Sequence, residues 1–395
     1  MEAVQQGVIT LIKSAITGQA LSLPEGLSLE KAEACTRGNS IQPMLYQGAL
    51  NCGVSPKTEV MQRLQMQYYQ NLVRSERQLY EIQRICNAFE ENGIDYMPVK
   101  GCNMKHLYPQ PELRIMGDAD ILIRVEQYNR IKPIMERLGF EEKVGAEHEL
   151  VWCNKNLYLE LHKSLIPQSN ADLYRFFGVG WEKAQKGETY RYDLSREDTY
   201  IYLFAHMAKH FRWYGIGLRQ IVDLYVYRRT YPDLDEERIE TAMDELRLLR
   251  FYKNIRKLLA AWFEDAQTDA VTDCITSEVF GNGNWGSFEN SPHAEILRAP
   301  KKGVHHVKWR YILTTVFPPM EVMRLRYPKL KKMPVLYPFY VVGRGGYYLL
   351  KKPQSITRKI AEIRTISDEK VATRQKMLMY MGLELSGDQS GHERA

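Results

Sequence analysis

No stretch of this chain approaches the ~18–20 uncharged apolar residues that a bilayer-spanning helix requires, so an integral membrane protein built of helices is not expected. Cysteine is scarce: six residues in 395 (Cys35, Cys52, Cys86, Cys102, Cys153 and Cys274), without a CxxC pair or a recurring interval. That excludes a disulfide framework and a cysteine zinc cage, and leads to an expectation of reduced thiols in the cytoplasm. The opening residues, MEAVQQGVITLIKSAITGQA, lack a basic n-region, a long apolar core and a cleavage site, so no secretion leader is expected. Internal repeats and low-complexity tracts are missing too, and the balance of hydrophobic and charged residues sets aside collagen-like and wholly disordered readings.

One further scarcity is local. Between Lys301 and Lys359 a single acid, Glu321, stands against 14 lysines and arginines. That segment carries +13, and because the chain total is +6 the remaining residues sum to −7. A mildly acidic body joined to a basic segment points to an anionic partner: nucleotide, nucleic acid or membrane surface. The rest of the composition, 44% hydrophobic and 26% charged, is that of an ordinary globular protein long enough for two or three folding units.

The order of elements follows from periodicity and punctuation. Residues 1–57 read as short helices broken by turns at SLPEGLS, Gly38-Asn39 and NCGVSP. Lys57 to Glu91 repeats its apolar residues at helical spacing and stops at Asn92-Gly93. Ile94–Val99 then reads as a strand, Cys102–Leu107 as a brief helix ended by Tyr108-Pro109, and Asp118–Arg124 as a second strand. Glu126–Leu138 is an amphipathic helix; Phe140–Val144, Glu149–Cys153 and Asn156–His162 are further strands. From Glu197 to Glu264 the pattern is helical, hinged at Gly215–Gly217. FGNGNWGSFENSP at 280–292 reads as a linker, and a last helix is expected from Ser355 to about Met381. These breaks divide the chain into a helical cover (1–92), a sheet-bearing core (93–196), a helical part (197–280) and a basic helical segment (281–395).

The passage that carries chemistry is Pro98-Val99-Lys100-Gly101-Cys102 followed by Gly117-Asp118-Ala119-Asp120-Ile121-Leu122. Strand alternation puts Asp118 and Asp120 on one face, about 6–7 Å apart at the backbone. Two carboxylates so placed repel each other unless a cation sits between them, and hard oxygen donors favour Mg²⁺. Gly101, between strand and helix, lets the backbone approach a phosphate closely. A third acid, Glu160, shares a strand face with Tyr158 and His162, while Leu157, Leu159 and Leu161 fill the opposite face.

Strand, glycine, helix, DxD strand, helix and strand with a third acid, in that order, resemble the nucleotidyltransferase fold of the DNA-polymerase-β-like superfamily. More closely, the chain is similar to a bacterial family of uncharacterised nucleotidyltransferases whose members read LKG…YP…LR..GD.D.L and then E/DLH. Here these pieces are Val99-Lys100-Gly101, Tyr108-Pro109, Leu113-Arg114, Gly117 to Leu122, and Glu160-Leu161-His162. The helical LFAHMAKHF…LRQIVDLYVY and the terminal FPP…RYP…YPFY segments extend the resemblance to about residues 35–350. It implies an α+β fold, a small mixed sheet with helices embedded in a largely helical protein. It also implies metal-dependent transfer of a nucleotidyl group from an NTP. Asp118 and Asp120 become ligands of Mg²⁺ or Mn²⁺, and Glu160 the third carboxylate. Lys100, Gly101, Cys102, Arg114, Lys209 and Arg219 fall on the nucleotide. The chain departs from the superfamily in having Cys102 where serine or a second glycine is usual, and in a longer interval between Gly101 and Asp118.

Cys102 has no neighbouring base to activate a thiol, so it is expected as a small packing residue. His206 and His210 stand at i, i+4 but have no third zinc ligand nearby in sequence. Two other classes stay open at this point: a nucleotide-binding regulatory module without turnover, and an RNA-binding protein working through the basic segment. The acceptor, which can be a small molecule, a protein or an RNA end, is not written in the sequence.

Overall fold

Helix boundaries in the first ninety residues follow their caps. The computed structural model describes residues 2–143, 149–168, 170–213 and 215–281, then 317–318, 320, 323–324, 327, 329–351 and 368–383. Helix α1 (Ala3–Thr17) closes on Gly18 in the left-handed region, φ 72°, where glycine alone escapes the Cβ clash. Ser28 caps α2 (Leu29–Cys35) by accepting the Lys31 N–H, and α3 (Gln42–Asn51) follows. Thr58 caps α4 (Glu59–Glu91) through the Met61 N–H, and α4 stops at Asn92-Gly93 as its punctuation predicts. Its buried stripe includes Leu64, Ile82, Ile85 and Phe89, but also the polar Asn71, Ser75 and Gln78.

A five-stranded mixed sheet follows, in the order β1-β2-β5-β4-β3, from β1 (Tyr96–Val99), β2 (Ala119–Ile123), β3 (Glu141–Lys143), β4 (Glu149–Cys153) and β5 (Tyr158–His162). Only β2 and β5 run parallel; the other neighbours are antiparallel. Four expected strand starts move inward, those of β1, β2, β3 and β5. Ile94 is not in β1 because its N–H returns to Phe89 O and finishes the turn after α4. Asp118 is not in β2, since β1 leaves the sheet at Lys100 and its last partnership is Val99 with Asp120. Strand β5 begins at Tyr158 because the Asn154 side chain accepts both the Asn156 and Leu157 N–H groups, holding a turn there. Val144, the expected end of β3, lies outside the described residues.

One face of the sheet is the core. Ala119, Ile121 and Ile123 of β2, with Leu157, Leu159, Leu161 and Trp152, pack against Ile82, Ile85 and Phe89 of α4 and against Ile131, Ile134 and Met135 of α6 (Tyr128–Arg137). Short α5 (Gly101–Met104) connects β1 toward β2. After the sheet come α7 (Ala171–Phe177), the hairpin β6 (Ala184–Lys186) and β7 (Tyr192–Leu194), then α8 (Arg196–Trp213) and α9 (Leu218–Thr230), parted by Gly215 at φ 80°. Helices α10 (Glu236–Glu245), α11 (Leu249–Phe263) and α12 (Ala270–Gly281) complete this region.

The chain divides into two units, Met1–His210 with Gly215–Gly286, and Phe211–Tyr214 with Ser287–Ala395. The expected linker at 280–292 starts too early, because Phe280 and Gly281 still belong to α12; the remainder lies outside the described residues. In the second unit, helices span Lys329–Lys332, Tyr337–Lys351 and Asp368–Met381, and Met323, Leu330 and Val341 form a small core. The Lys329–Lys332 cluster is a helical turn whose Leu330 is buried in that core. The part of the last expected helix before Asp368 lies outside the described residues. Among the described residues no helix is long and apolar enough to cross a membrane.

Candidate active site

The sheet face opposite the core carries the acids. Because β2 and β5 are parallel and in register at Asp120 and Glu160, these two residues sit side by side, with Val99 and Val151 beyond them in the same row. The next row sets Leu122, His162 and Glu149 side by side. His162 Nε2 lies 2.7 Å from Asp120 Oδ1 and 3.5 Å from Glu160 Oε2. Among the described residues, Asp120, Glu160 and His162 have ligand atoms all within 4.8 Å of one another and can hold a metal ion. Asp118 stands outside that trio, just ahead of the strand, yet lines the same cavity.

Lys100 supplies the cation that the DxD spacing calls for. It donates from Nζ to Asp120 Oδ1 at 2.7 Å. Its backbone, φ 49° and ψ −117°, lies where non-glycine residues are rare, so the turn from β1 into α5 holds it at a conformational cost. Burial alone would raise the Asp120 pKa, but Lys100 and His162 outweigh it and hold that carboxyl well below the usual range. Asp118 has the opposite fate: burial, then the charges of Asp120 and Glu160, push it up to about 6. Burial and Lys100 press His162 downward, but its bonds to Asp120 and Glu160 leave it above the ordinary imidazole value.

The loop between Gly101 and Asp118, longer than in the superfamily, is held by side chains instead of strands. Its carbonyls have no ladder to join and must find donors elsewhere. Asn71 bonds Glu112 O, Lys105 bonds Arg114 O, Arg219 bonds Ile115 O and Gln78 bonds Met116 O. This explains Asn71 and Gln78 on the buried stripe of α4, whereas the buried Ser75 Oγ has no hydrogen-bond partner among the described residues. Within the loop, Arg114 makes a two-pronged pair with Asp223 of α9, Nε to Oδ1 at 2.8 Å and Nη2 to Oδ2 at 2.9 Å, and Tyr108 donates to the same carboxylate at 2.7 Å. The third guanidinium nitrogen, Arg114 Nη1, and Arg219 Nε are buried without a hydrogen-bond partner among the described residues. A Cβ at Gly101 would meet Met116 Sδ at 2.9 Å and Arg114 Nη1 at 3.1 Å, so glycine is needed there to seat Arg114.

Helices α8 and α9 face these groups across a cavity of about 230 Å³. Into it come Lys100, Gly101, Arg114, Asp118, Asp120, Glu160 and His162 from the sheet side, and His206, Lys209, His210, Arg219 and Asp223 from the helices. Burial first, then Lys100, lowers Lys209 to about 8. Burial also holds His206 and His210 below the ordinary imidazole range, their Nε2 atoms 3.3 Å apart.

The structure therefore gathers Lys100, Gly101, Arg114, Asp118, Asp120, Glu160, Lys209 and Arg219 around one cavity. Cys102 is the exception among the candidates: its side chain is in the core cluster, and burial, followed by the charge of Asp120, pushes its thiol far up. Sequence reasoning missed His162 as a partner of the acids, although strand alternation and the Glu160-Leu161-His162 motif both marked its face. It also left Asp223 without a role, because nothing local announces a partner 109 residues from Arg114. Two carboxylates and an imidazole at these separations are a donor set that suits a divalent cation, Mg²⁺ or Mn²⁺ by its oxygens and Mn²⁺ further by the nitrogen.

A family model described as uncharacterised nucleotidyltransferase matches residues 29–264, more than half of the chain. No curated protein and no solved structure matches it.

Proposed function

The chain belongs to the family of uncharacterised nucleotidyltransferases, and from that premise we propose that it moves an NMP group from an NTP to a hydroxyl or phosphate acceptor, releasing pyrophosphate. The observation that carries this reading is the juxtaposition in one cavity of an acidic trio with buried, partly unsatisfied guanidinium groups. One set attracts a cation and the other an anion, which is what a cation-bound polyphosphate requires.

The chemistry a bound Mg²⁺ or Mn²⁺ would supply is positive charge against the negative charge that grows on the phosphates in the transition state. Asp120, Glu160 and His162 would hold it, with Asp118 completing the acidic wall. Arg114 Nη1 and Arg219 offer N–H donors to phosphate oxygens, and Lys209 offers an ammonium. Asp223 and Tyr108 fix the Arg114 fork so that its remaining nitrogen keeps its aim. Glu160, beside Asp120 on a neighbouring strand, would either help to hold the cation or take the proton of a hydroxyl acceptor as its oxygen attacks the α-phosphorus.

The Lys100–Asp120 pair favours a second reading, a nucleotide-binding module without turnover, because an ammonium already neutralises the carboxylate that would hold the metal. Incubation with each NTP labelled at the α-phosphate, Mg²⁺ or Mn²⁺ and host-cell extract separates the two. Label transferred to a small product, a protein or RNA supports turnover and names the acceptor class. NTP binding at equilibrium with no transfer in any extract supports the silent module.

A further inference from the structure

The helix Tyr337–Lys351, within the basic segment singled out in the sequence, is built in two unlike faces. Tyr337, Tyr340 and Val341 pack on the small core with Leu330 and Met323. On the opposite side Phe339, Val342 and Leu350 are 74%, 74% and 82% exposed, at steps of three and eight residues that fall on one helix face. Val335, in the 3-10 turn just before the helix, is 73% exposed and continues that row. The exposed side of the helix presents no acid, and Gly343 and Gly346 leave it low in profile.

Charge identifies what such a face meets. From residue 322 to 361 the chain has ten lysines and arginines and no acid. We propose that this helix docks on an anionic membrane surface, its apolar row entering the interfacial layer and the net positive charge of the surrounding sequence drawing it to anionic headgroups. Aliphatic and aromatic side chains on one face with cationic residues nearby are the composition of interfacial helices. Single-stranded RNA fits less well: base stacking needs aromatic planes, whereas Val335, Val342 and Leu350 gain nothing from a base and gain a transfer free energy in acyl chains. A helix of 15 residues that lies on the surface does not need the length of a spanning one.

The test is flotation of the full chain with vesicles of phosphatidylcholine alone or mixed with phosphatidylglycerol. Binding to the anionic vesicles is expected to exceed binding to the neutral ones at least about tenfold and to fall as salt rises from about 50 to about 300 mM. A Phe339→Asp, Val342→Asp, Leu350→Asp variant should lose at least about tenfold in vesicle binding with an unchanged melting curve, since all three side chains are exposed. Lys329→Glu should weaken binding to anionic vesicles alone. Equal binding to both vesicle types, undiminished binding by the triple variant, or retention of single-stranded RNA without vesicle binding would each overturn the proposal. NTP transfer is not read in this experiment, so its outcome is independent of the activity proposed above.

Discussion

The two faces of the five-stranded sheet come from the same strands and could hardly differ more. Odd positions of β2 and β5, Ala119, Ile121, Leu159 and Leu161, are fully buried in apolar contact and contribute stability in proportion to the area they remove from water. Even positions, Asp120, Glu160 and His162, are charged or polar groups that burial penalises. The difference teaches how such a site is tolerated. One face supplies the folding free energy, and the other is made affordable by internal pairing: Lys100 on Asp120, Asp223 on Arg114.

The comparison breaks most visibly at Asp118, which lines the cavity just ahead of β2 and stands outside the strand pairing of the sheet. Asp118→Asn is expected to lower nucleotidyl transfer by about 10²–10³-fold or more, while the melting temperature holds or rises slightly because the burial of a charge, and then its repulsion by Asp120 and Glu160, are relieved. Steady-state transfer rates beside a melting curve check this, and a sharp fall in melting temperature would make Asp118 structural. Asp120→Asn is a different case. It strands the buried Lys100 ammonium, so it should cost stability as well as activity, contrary to what a simple repelling pair of acids would lead one to expect.

Leu159→Ala tests the other face. The cavity left in the core should cost about 2–5 kcal/mol of stability, read by denaturant unfolding, while turnover per folded molecule stays near that of wild type. Lost turnover in protein that remains folded would mean the two faces are not separable.

How far the site could be read from sequence follows from the same contrast. Alternation along a strand is local, so Glu160 between leucines and the Asp118–Asp120 spacing were legible, as was the helix stop at Asn92-Gly93 with Gly93 at φ 61°. Pairings between distant elements were not. Lys100 looked like a phosphate ligand because nothing in Val99-Lys100-Gly101 shows that its side chain turns back to Asp120. Arg114 likewise gave no sign that Asp223 would take two of its nitrogens. Asn71 and Gln78 on the buried stripe of α4 made sense only once the 110–117 loop lay against them.

Lys100 sharpens the comparison at a smaller scale. If its ammonium is the resident cation of the acidic face, Lys100→Met should bind Mn²⁺ in the absence of nucleotide several-fold more tightly, on the order of tenfold, in an electron paramagnetic resonance titration. The same variant should melt lower without metal. Unchanged or weaker Mn²⁺ affinity in folded variant would show that Lys100 and the metal do not compete.

A smaller effect still is expected from Lys209. Its pKa is lowered to about 8, so the charged form that meets phosphate prevails below that pH and is lost as pH rises through it. The Michaelis constant for NTP should therefore climb on the alkaline side of about pH 8 by a few-fold, and Lys209→Arg, which stays protonated, should flatten that limb. A profile that is flat in wild type would remove Lys209 from the phosphate contacts.

The central claim is that the polar face transfers the nucleotidyl group and not the terminal phosphoryl group. It is tested most directly by supplying one NTP labelled at the α-phosphate and, in parallel, at the γ-phosphate, to wild type and to Asp118→Asn with metal and extract. The account predicts α-label on the product and γ-label in pyrophosphate with wild type, and neither with the variant. γ-Label on the product, or α-label transferred equally well by Asp118→Asn, would contradict it.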